Sequence, residues 1–426
     1  MLNLTCLEFF SGIGGLHLSL KYAIEKLVEH GQAIDIKVIK AFELNENCNN
    51  IYKIHFKDTQ VCTKNIESLD IDDIPKANIW LLSPPCQPFT RGGAKRDSDY
   101  NRCKPLLKMI DLMYKIDISK MPSIWFIENV VNFEQSRTHK FMIDMFNDLD
   151  YTYIQFLLSP TLLNIPNTRV RYYCMAFRCS NLVLSCKYSI LSRYENFIAS
   201  NILRNNCEDT KKLEYKLIIN DPQNKSTYDE LLCHLPYSSK FCSKLLHIHP
   251  KKIGDIIYTA KSPLFSEMAN KVIEKNNSFR FDIVNELSIV STTITRSYTE
   301  SAGRGGPLFM KSSNVDNTKY NSGYLSCDEP SSVYKQIFDT SKLCPSRFQC
   351  INEIDLSKCN IRFLQPSEIL SLMGFPSNWL STIYKYDSLE LLKQQYSLVG
   401  NSISIHIVSI LMYYMIDLAC ANKVLF

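Results

Sequence analysis

The sequence is rich in cysteine but lacks the cysteine spacing that typically binds metals. None of its 16 cysteines is followed by another in a C-x-x-C pair, the spacing common in structural zinc sites. We therefore expect no metal centre. The first apolar run has no basic residue ahead of it and contains Glu8, which indicates a core strand and not a secretion signal. We accordingly expect reduced thiols and a location in the cytoplasm, with the nucleus as a second compartment open to the protein.

A strong net charge and an uninterrupted apolar segment are also absent. The net charge of +5 permits a nucleic-acid partner without requiring one. The longest late apolar stretch, residues 403–419, is interrupted by Ser404, His406, Ser409 and Asp417, a pattern that favours a buried helix over a membrane span. We therefore expect no membrane partner.

Glycine is missing between Gly93 and Gly254, and the pattern of the chain changes across that gap. Before residue 180, short apolar runs alternate with helix-like segments, which predicts an α/β core with a doubly wound parallel sheet. The predicted strands are residues 4–10, 37–42, 78–82, 124–127 and 170–177, and the predicted helices are 16–29 and 103–114.

Beyond residue 180 the segments are polar and rich in asparagine and lysine, and apolar periodicity returns after residue 360. The sequence therefore predicts one core built from both ends of the chain. The predicted domains are the core at 1–180, a smaller inserted domain at 181–354, and a C-terminal segment at 355–426 that completes the core.

Three glycines, Gly12, Gly14 and Gly15, lie between the first predicted strand and the first predicted helix. Glycines in this place allow a tight turn and close approach of a ligand, as in nucleotide-binding βα units. Glu43 closes the second predicted strand, where a carboxylate can bond the ribose hydroxyls of an adenosine-containing ligand. Either feature alone is weak, and together they favour such a ligand without specifying which.

The segment SPPCQPFT, residues 83–90, begins where the strand at 78–82 ends. Its prolines restrict the loop and can hold Cys86 in one place at the sheet edge where ligands bind in such folds. Glu128 follows another strand, and Arg169 and Arg171 are spaced at i and i+2, which predicts one shared strand face. A thiol, an acid and two arginines at one edge suit an aromatic base. Taken singly, Cys86 is more often a buried thiol, and either arginine a surface ion pair.

Five motifs in order, FxGxGG, PPCQPF, ENV, TRxR and GNS, resemble those of the cytosine-5 methyltransferases that use S-adenosylmethionine. The resemblance implies a Rossmann-like methyltransferase core with an inserted target-recognition domain. It implies that Cys86 is the nucleophile, that Glu128 engages the cytosine, and that Arg169 and Arg171 hold the base and orient Glu128. The implied cofactor-binding residues are Phe10, Gly12, Ile13, Gly14, Gly15, Glu43, Ile66, Glu67, Ser83, Asn401 and Ser402.

Longer stretches, among them SPPCQPFTRGG and QQYSLVGNSISIHIV, resemble the family of eukaryotic tRNA-aspartate cytosine-5 methyltransferases. This implies a monomer that acts on the anticodon stem-loop of tRNA-Asp, at cytosine-38. A surplus of lysine and arginine at 91–108 is suited to phosphate contacts. Duplex DNA as substrate, and a catalytically weak nucleic-acid-binding relative, stay open as alternatives. One departure concerns the inserted domain, where Ser297-Tyr298-Thr299 stands in place of the usual Cys-Phe-Thr.

Overall fold

The computed structural model describes residues 1–85, 103–163, 165–178, 217–219, 252–257, 263–275, 282–286, 288, 290–300, 305–310, 361–380, 388–421 and 424. The chain divides into two compact units. The first unit comprises Met1–Leu162, Val170–Leu245 and Ile403–Phe426, and the second comprises Leu163–Arg169 and Leu246–Ser402. Of the predicted C-terminal segment, the described residues 361–380 and 388–402 fall in the second unit, and those from 403 onward fall in the first.

The helices and strands are named in chain order. The helices are α1 (Gly15–Glu29), α2 (Glu46–His55), α3 (Lys104–Lys115), α4 (Arg137–Asp148), α5 (Pro263–Lys275), α6 (Pro366–Met373), α7 (Leu389–Gly400) and α8 (Ile405–Ala421). The strands are β1 (Leu2–Phe9), β2 (Ile34–Phe42), β3 (Gln60–Cys62), β4 (Ile79–Leu82), β5 (Ile124–Val130), β6 (Tyr151–Leu158), β7 (Arg171–Arg178), β8 (Leu217–Ile219), β9 (Ile283–Val284), β10 (Leu308–Met310) and β11 (Ile361–Phe363).

The sheet of the first unit has the strand order β3-β2-β1-β4-β5-β7-β6-β8. The pairs from β3 to β5 are parallel, as predicted, but β7 runs antiparallel to both β5 and β6. The prediction of a wholly parallel sheet was therefore wrong at this edge. A parallel return needs a crossover, usually a helix. The described residues between β6 and β7 contain only a short 3-10 turn at Pro160–Leu163.

Burial explains why the parallel strands form. All four residues of β4 are buried, which is expected of a strand covered on both faces. Phe9 stacks on Phe42 with ring centroids 4.7 Å apart, and Trp80 lies 5.1 Å from both Phe9 and Trp125. These rings join four neighbouring strands into one core, and the α/β fold class predicted from sequence is confirmed.

The late apolar stretch forms the core helix α8, which packs against α1. His30 Nδ1 lies 2.8 Å from the Tyr413 hydroxyl across that contact. By length and composition Leu389–Ala421 could cross a membrane, with a mean hydropathy of 1.8, but its most apolar window is 78% buried within the protein. The helix is also interrupted between α7 and α8.

The second unit contains a small sheet of order β11-β10-β9. Tyr298 is buried beside it, where its hydroxyl donates to the Pro307 carbonyl and accepts from the Leu364 amide at 3.1 Å. Gly305 and Gly306 leave room for this residue, because a Cβ on either would lie 2.6–2.8 Å from Tyr298 atoms. The tyrosine that departs from the family tripeptide is therefore part of the core of this unit.

Candidate active site

The glycine loop, residues 10–15, connects β1 to α1 at the carboxyl end of the parallel strands. Phe10, Gly12 and Gly14 have φ values of 58°, 52° and 87°, so the loop is left-handed at three positions. Neighbouring strand ends hold it in place. Ser11 N donates to the Phe42 carbonyl at 3.1 Å, and Ser83 Oγ donates to the Phe10 carbonyl at 2.9 Å. Ser83 therefore ties the end of β4 to this loop.

The glycines of the loop have different reasons to be glycine. A Cβ on Gly14 would lie 2.4 Å from the Phe56 ring, so this residue allows the loop to approach α2 closely. A Cβ on Gly12 would have no heavy atom within 4 Å. The backbone is therefore open at Gly12, as close approach of a ligand requires.

Glu43 reaches the glycine loop from the end of β2. Its carboxylate accepts hydrogen bonds from Gly12 N at 2.9 Å and from Asn45 N at 2.8 Å. A carboxylate beside open backbone at the carboxyl ends of two parallel strands suits a ribose with two hydroxyl donors. The adjacent Leu44 is 67% exposed and offers apolar surface. The residues present thus fit an adenosine-containing cofactor.

The other residues expected around the cofactor are placed differently. Ile13 and Gly15 are buried, and Ile66 is buried in the core cluster that includes Leu7 and Phe42. Glu67 is exposed, and its amide donates to Asn65 Oδ1 at 3.1 Å. A ligand can therefore reach the exposed Glu67 more easily than the buried Ile66.

Glu128 and Arg171 face each other on the antiparallel pair β5 and β7. Glu128 Oε1 lies 3.5 Å from Arg171 Nε, and the two side chains are only 11% and 13% exposed. Arg171 Nη1 also donates to the Val170 carbonyl at 2.7 Å. Because β7 runs antiparallel to β5, Arg171, the first residue of β7, pairs with Val130, the last residue of β5. Cys86 lies outside the described residues, as do residues 91–102 of the basic stretch.

Arg169 does not share a strand face with Arg171. The strand β7 begins at Arg171, so the alternation rule does not extend back to Arg169, and the prediction of one shared face was wrong. Arg169 belongs to the second unit and is 2% exposed. It donates to the carbonyls of Ile294 at 2.7 Å, Gly400 at 3.1 Å and Ser402.

The GNS motif forms the turn after α7 in the second unit. Asn401 is exposed at the helix end, and Ser402 Oγ donates to the Leu398 carbonyl at 3.0 Å. A Cβ on Gly400 would lie 2.4 Å from backbone atoms of Thr295 and Arg296. Glycine is required there because another backbone segment crosses it. Asn401 and Ser402 are assigned to a different unit from the glycine loop, so their role in cofactor binding stays a prediction.

Sequence reasoning missed a buried polar chain beneath the glycine loop. The Tyr52 hydroxyl donates to Glu8 Oε2 at 2.7 Å and lies 2.8 Å from His17 Nδ1. Glu8 Oε1 accepts from His17 N at 3.3 Å. Burial raises the pKa of Glu8 to about 8, and burial lowers the pKa of His17 to about 3. The available signal was an acid inside the apolar run of the first strand.

A candidate metal site is absent from the part of the chain that the structure describes. No group of three or more His, Cys, Asp or Glu side chains is arranged there to hold an ion.

Comparison with known proteins extends over nearly the whole chain. A model of the family described as C-5 cytosine-specific DNA methylase matches residues 4–416. The tRNA (cytosine(38)-C(5))-methyltransferase of Bos taurus is 28% identical over 431 residues, covering 97% of this chain and 99% of that protein. The DNA (cytosine-5)-methyltransferase of Dictyostelium discoideum is 29% identical over 427 residues, covering 98% and 95%.

A solved structure resembles the fold. The Entamoeba histolytica methyltransferase EhMeth aligns with a TM-score of 0.63 at 24% identity and covers 98% of this chain and 99% of its own. This likeness agrees with the Rossmann-like methyltransferase core.

Proposed function

We propose, because this chain belongs to the family of C-5 cytosine-specific DNA methylases, that it methylates C5 of a cytosine in tRNA. The cytosine we propose is cytosine-38 in the anticodon loop of tRNA-Asp, and the proposed cofactor is S-adenosylmethionine, which members of this family use. The buried contact between Glu128 and Arg171 carries the proposal on the structural side. The full-length similarity to a protein named for tRNA cytosine-38 supports the choice of substrate.

The proposed reaction begins with Cys86. Its thiolate adds to C6 of the cytosine, which makes C5 nucleophilic because the ring becomes an enamine. Glu128 bonds the base at N3 and lowers the cost of the charge that develops during addition. C5 then takes the methyl group, and the later loss of the C5 proton expels the thiolate from C6 and restores Cys86.

Arg171 has a positioning part in this scheme. Its guanidinium lies 3.5 Å from Glu128 in a place where both side chains are nearly buried. A fixed positive charge there limits the directions in which the Glu128 carboxyl can turn. The same guanidinium retains donors for the carbonyl oxygen of a base.

The glycine loop and Glu43 hold the proposed cofactor, which supplies an electrophilic methyl group on sulfur. Glu43 binds its ribose hydroxyls while accepting from Gly12 N. The cofactor has no phosphate, so the open backbone at Gly12 serves close approach and not anion binding. For a base in a folded nucleic acid, the target must also leave its stack to reach the site.

A DNA cytosine-5 methyltransferase is the second candidate. It uses the same residues, and the similarity to the Dictyostelium discoideum protein named for DNA favours it to a comparable degree. The two candidates differ in the nucleic acid that is bound, which neither Glu128 nor Glu43 can distinguish.

Methyl transfer from labelled S-adenosylmethionine distinguishes these candidates. The purified protein is incubated with total tRNA or with duplex DNA, and Cys86→Ala serves as the control. Label in tRNA alone supports the proposal, and bisulfite sequencing of tRNA-Asp then locates it at cytosine-38. Label mainly in DNA supports the second candidate. Binding without any label indicates a weak nucleic-acid-binding relative, and an unimpaired Cys86→Ala variant rules out the covalent mechanism.

A further inference from the structure

The buried chain of Glu8, Tyr52 and His17 has no part in the proposed methyl transfer, yet it supports the loop that holds the cofactor. Helix α1 begins at Gly15 with Gly14 at its N-cap. Glycine offers no side chain to bond the free amides of the first turn. Glu8, from the preceding strand, supplies the missing acceptor by bonding His17 N. A carboxylate at this place is also favoured by the helix dipole.

The glycine at the N-cap is itself required by α2. The ring of Tyr52 lies 3.1 Å and that of Phe56 2.4 Å from a Cβ built on Gly14. His17 stacks on Phe56 with centroids 3.7 Å apart. The close packing of α1 and α2 therefore requires glycine at position 14. The same two helices carry His17 and Tyr52, which bond Glu8, the acid that supplies the acceptor glycine lacks.

The proton of Glu8 decides the direction of the two hydrogen bonds made by the Tyr52 hydroxyl. The Tyr52 hydroxyl has a single hydrogen to donate and lies between Glu8 Oε2 and His17 Nδ1, with the Thr59 side chain as a further contact. When Glu8 is ionised, Tyr52 donates to it and His17 donates its Nδ1 hydrogen to Tyr52. When Glu8 is protonated, Glu8 donates to Tyr52 and Tyr52 donates to His17 Nδ1. The protonation of Glu8 therefore sets the tautomer of a neutral His17.

The charges around Glu8 make either state accessible. Burial and the Glu43 carboxylate raise the pKa of Glu8, while the Tyr52 hydroxyl and the His17 amide lower it, with a result of about 8. The Cys6 thiol on β1 also faces Glu8, and its own pKa is raised well above its usual value by burial and by that acid. The positive charge of Lys21 on α1 helps to lower the pKa of His17, after the larger effect of burial.

We propose that Glu8, Tyr52 and His17 are positioning residues that couple binding of the cationic cofactor at the glycine loop to the loss of one proton from Glu8. The proposal rests on the cofactor assignment above. A positive charge brought to the loop favours an ionised carboxylate nearby. The proton passes from Glu8 to Tyr52, from Tyr52 to His17 Nδ1, and from His17 Nε2 to solvent. His17 is the one member of the three that is partly exposed.

Calorimetric titration in buffers of different ionisation enthalpy measures this proton directly. At pH 7 the wild-type chain should release more protons on binding S-adenosylmethionine than Glu8→Gln does. If binding lowers the pKa of Glu8 by one unit, the Kd of the wild type should fall by about tenfold between pH 6.5 and 9, relative to the Kd of Glu8→Gln. The amino group of the cofactor titrates in every variant alike, so the difference between variants is the measurement.

Two further variants and one further ligand sharpen the test. Tyr52→Phe keeps the ring against Gly14 but removes a bond that favours ionised Glu8, so the affinity change should move to higher pH. As a control, Glu25→Gln removes an exposed carboxylate from α1, the helix that carries His17, and should match the wild type. S-adenosylhomocysteine, which lacks the sulfonium charge, should release fewer protons than S-adenosylmethionine.

Equal proton release by wild type and Glu8→Gln, with an unmoved profile in Tyr52→Phe, would overturn the inference. A chain that binds neither ligand at any pH would instead refute the cofactor assignment.

Discussion

Two glycine turns of this chain are held by side chains of opposite chemical character, acids at one turn and an arginine at the other. The glycine loop of the first unit leads into the start of α1, where Glu43 accepts from Gly12 N in the loop and Glu8 accepts from His17 N in the first turn of the helix. The turn after α7 in the second unit ends a helix, and Arg169 donates to its carbonyls at Gly400 and Ser402. Helix starts leave amides unpaired and helix ends leave carbonyls unpaired. The acidic acceptor Glu8 at the start of α1 and the basic donor Arg169 at the end of α7 follow from this difference.

Two arginines that are two residues apart also differ in their partners. Arg171 is close to a carboxylate in the first unit, whereas Arg169 donates to three backbone carbonyls of the second unit. The first can act on a substrate through Glu128, and the second holds backbone segments together. We therefore expect substitutions at these positions to affect different properties.

The largest expected effect is that of Arg169→Met on stability. Three charge-assisted bonds to buried carbonyls are lost, and the free energy of unfolding should fall by about 4 kcal/mol. Arg171→Met should change stability less but lower kcat, because Glu128 loses its orienting partner. Urea denaturation and methyl-transfer rates of both variants measure this. Equal loss of stability in the two would remove the distinction between them.

The next largest effect is that of Glu8 on the pH dependence of stability. Between its unfolded pKa near 4.5 and its folded pKa of about 8, Glu8 holds a proton in the folded chain that the unfolded chain has lost. The contribution of Glu8 to the free energy of unfolding therefore falls as the pH rises, by about 1.4 kcal/mol for each pH unit in that window. The contribution of His17, whose folded pKa is about 3, instead rises with pH up to its unfolded pKa near 6.5. Glu8→Gln does not titrate and should lack this slope. Urea denaturation at pH 5.5, 6.5 and 7.5 tests the difference, and parallel profiles would contradict it.

The smallest effect separates the two turns by their glycines. Gly400→Ala places a Cβ 2.4 Å from the backbone of Thr295 and Arg296, and such overpacking should cost about 2 kcal/mol. Gly12→Ala meets open space, so only its φ of 52° opposes the change, at a cost of about 1 kcal/mol. Thermal unfolding ranks the two variants. If Gly12→Ala were the more destabilised, crowding would not be what requires glycine after α7.

Several elements could be predicted from sequence because their signals are local. The predicted strand at 4–10 is β1 at Leu2–Phe9, and the predicted helix at 16–29 is α1 at Gly15–Glu29. The strand β6 was missed. It buries all eight of its residues, including Thr152 and Gln155, so neither alternation nor a continuous apolar run marks it.

The sequence alone determined the order of the motifs, the βα unit with its glycine loop, and the strand that carries Glu128. These depend on residues close together along the chain. Only the tertiary structure decided that β7 runs antiparallel, that Arg171 meets Glu128, that Arg169 donates to three backbone carbonyls, and that Glu8 caps α1. The partners of Arg169 lie 125 to 233 residues away, and Tyr52 lies 44 residues from Glu8. Burial and hydrogen bonding between such distant groups arise only when the chain packs, so no local pattern encodes them.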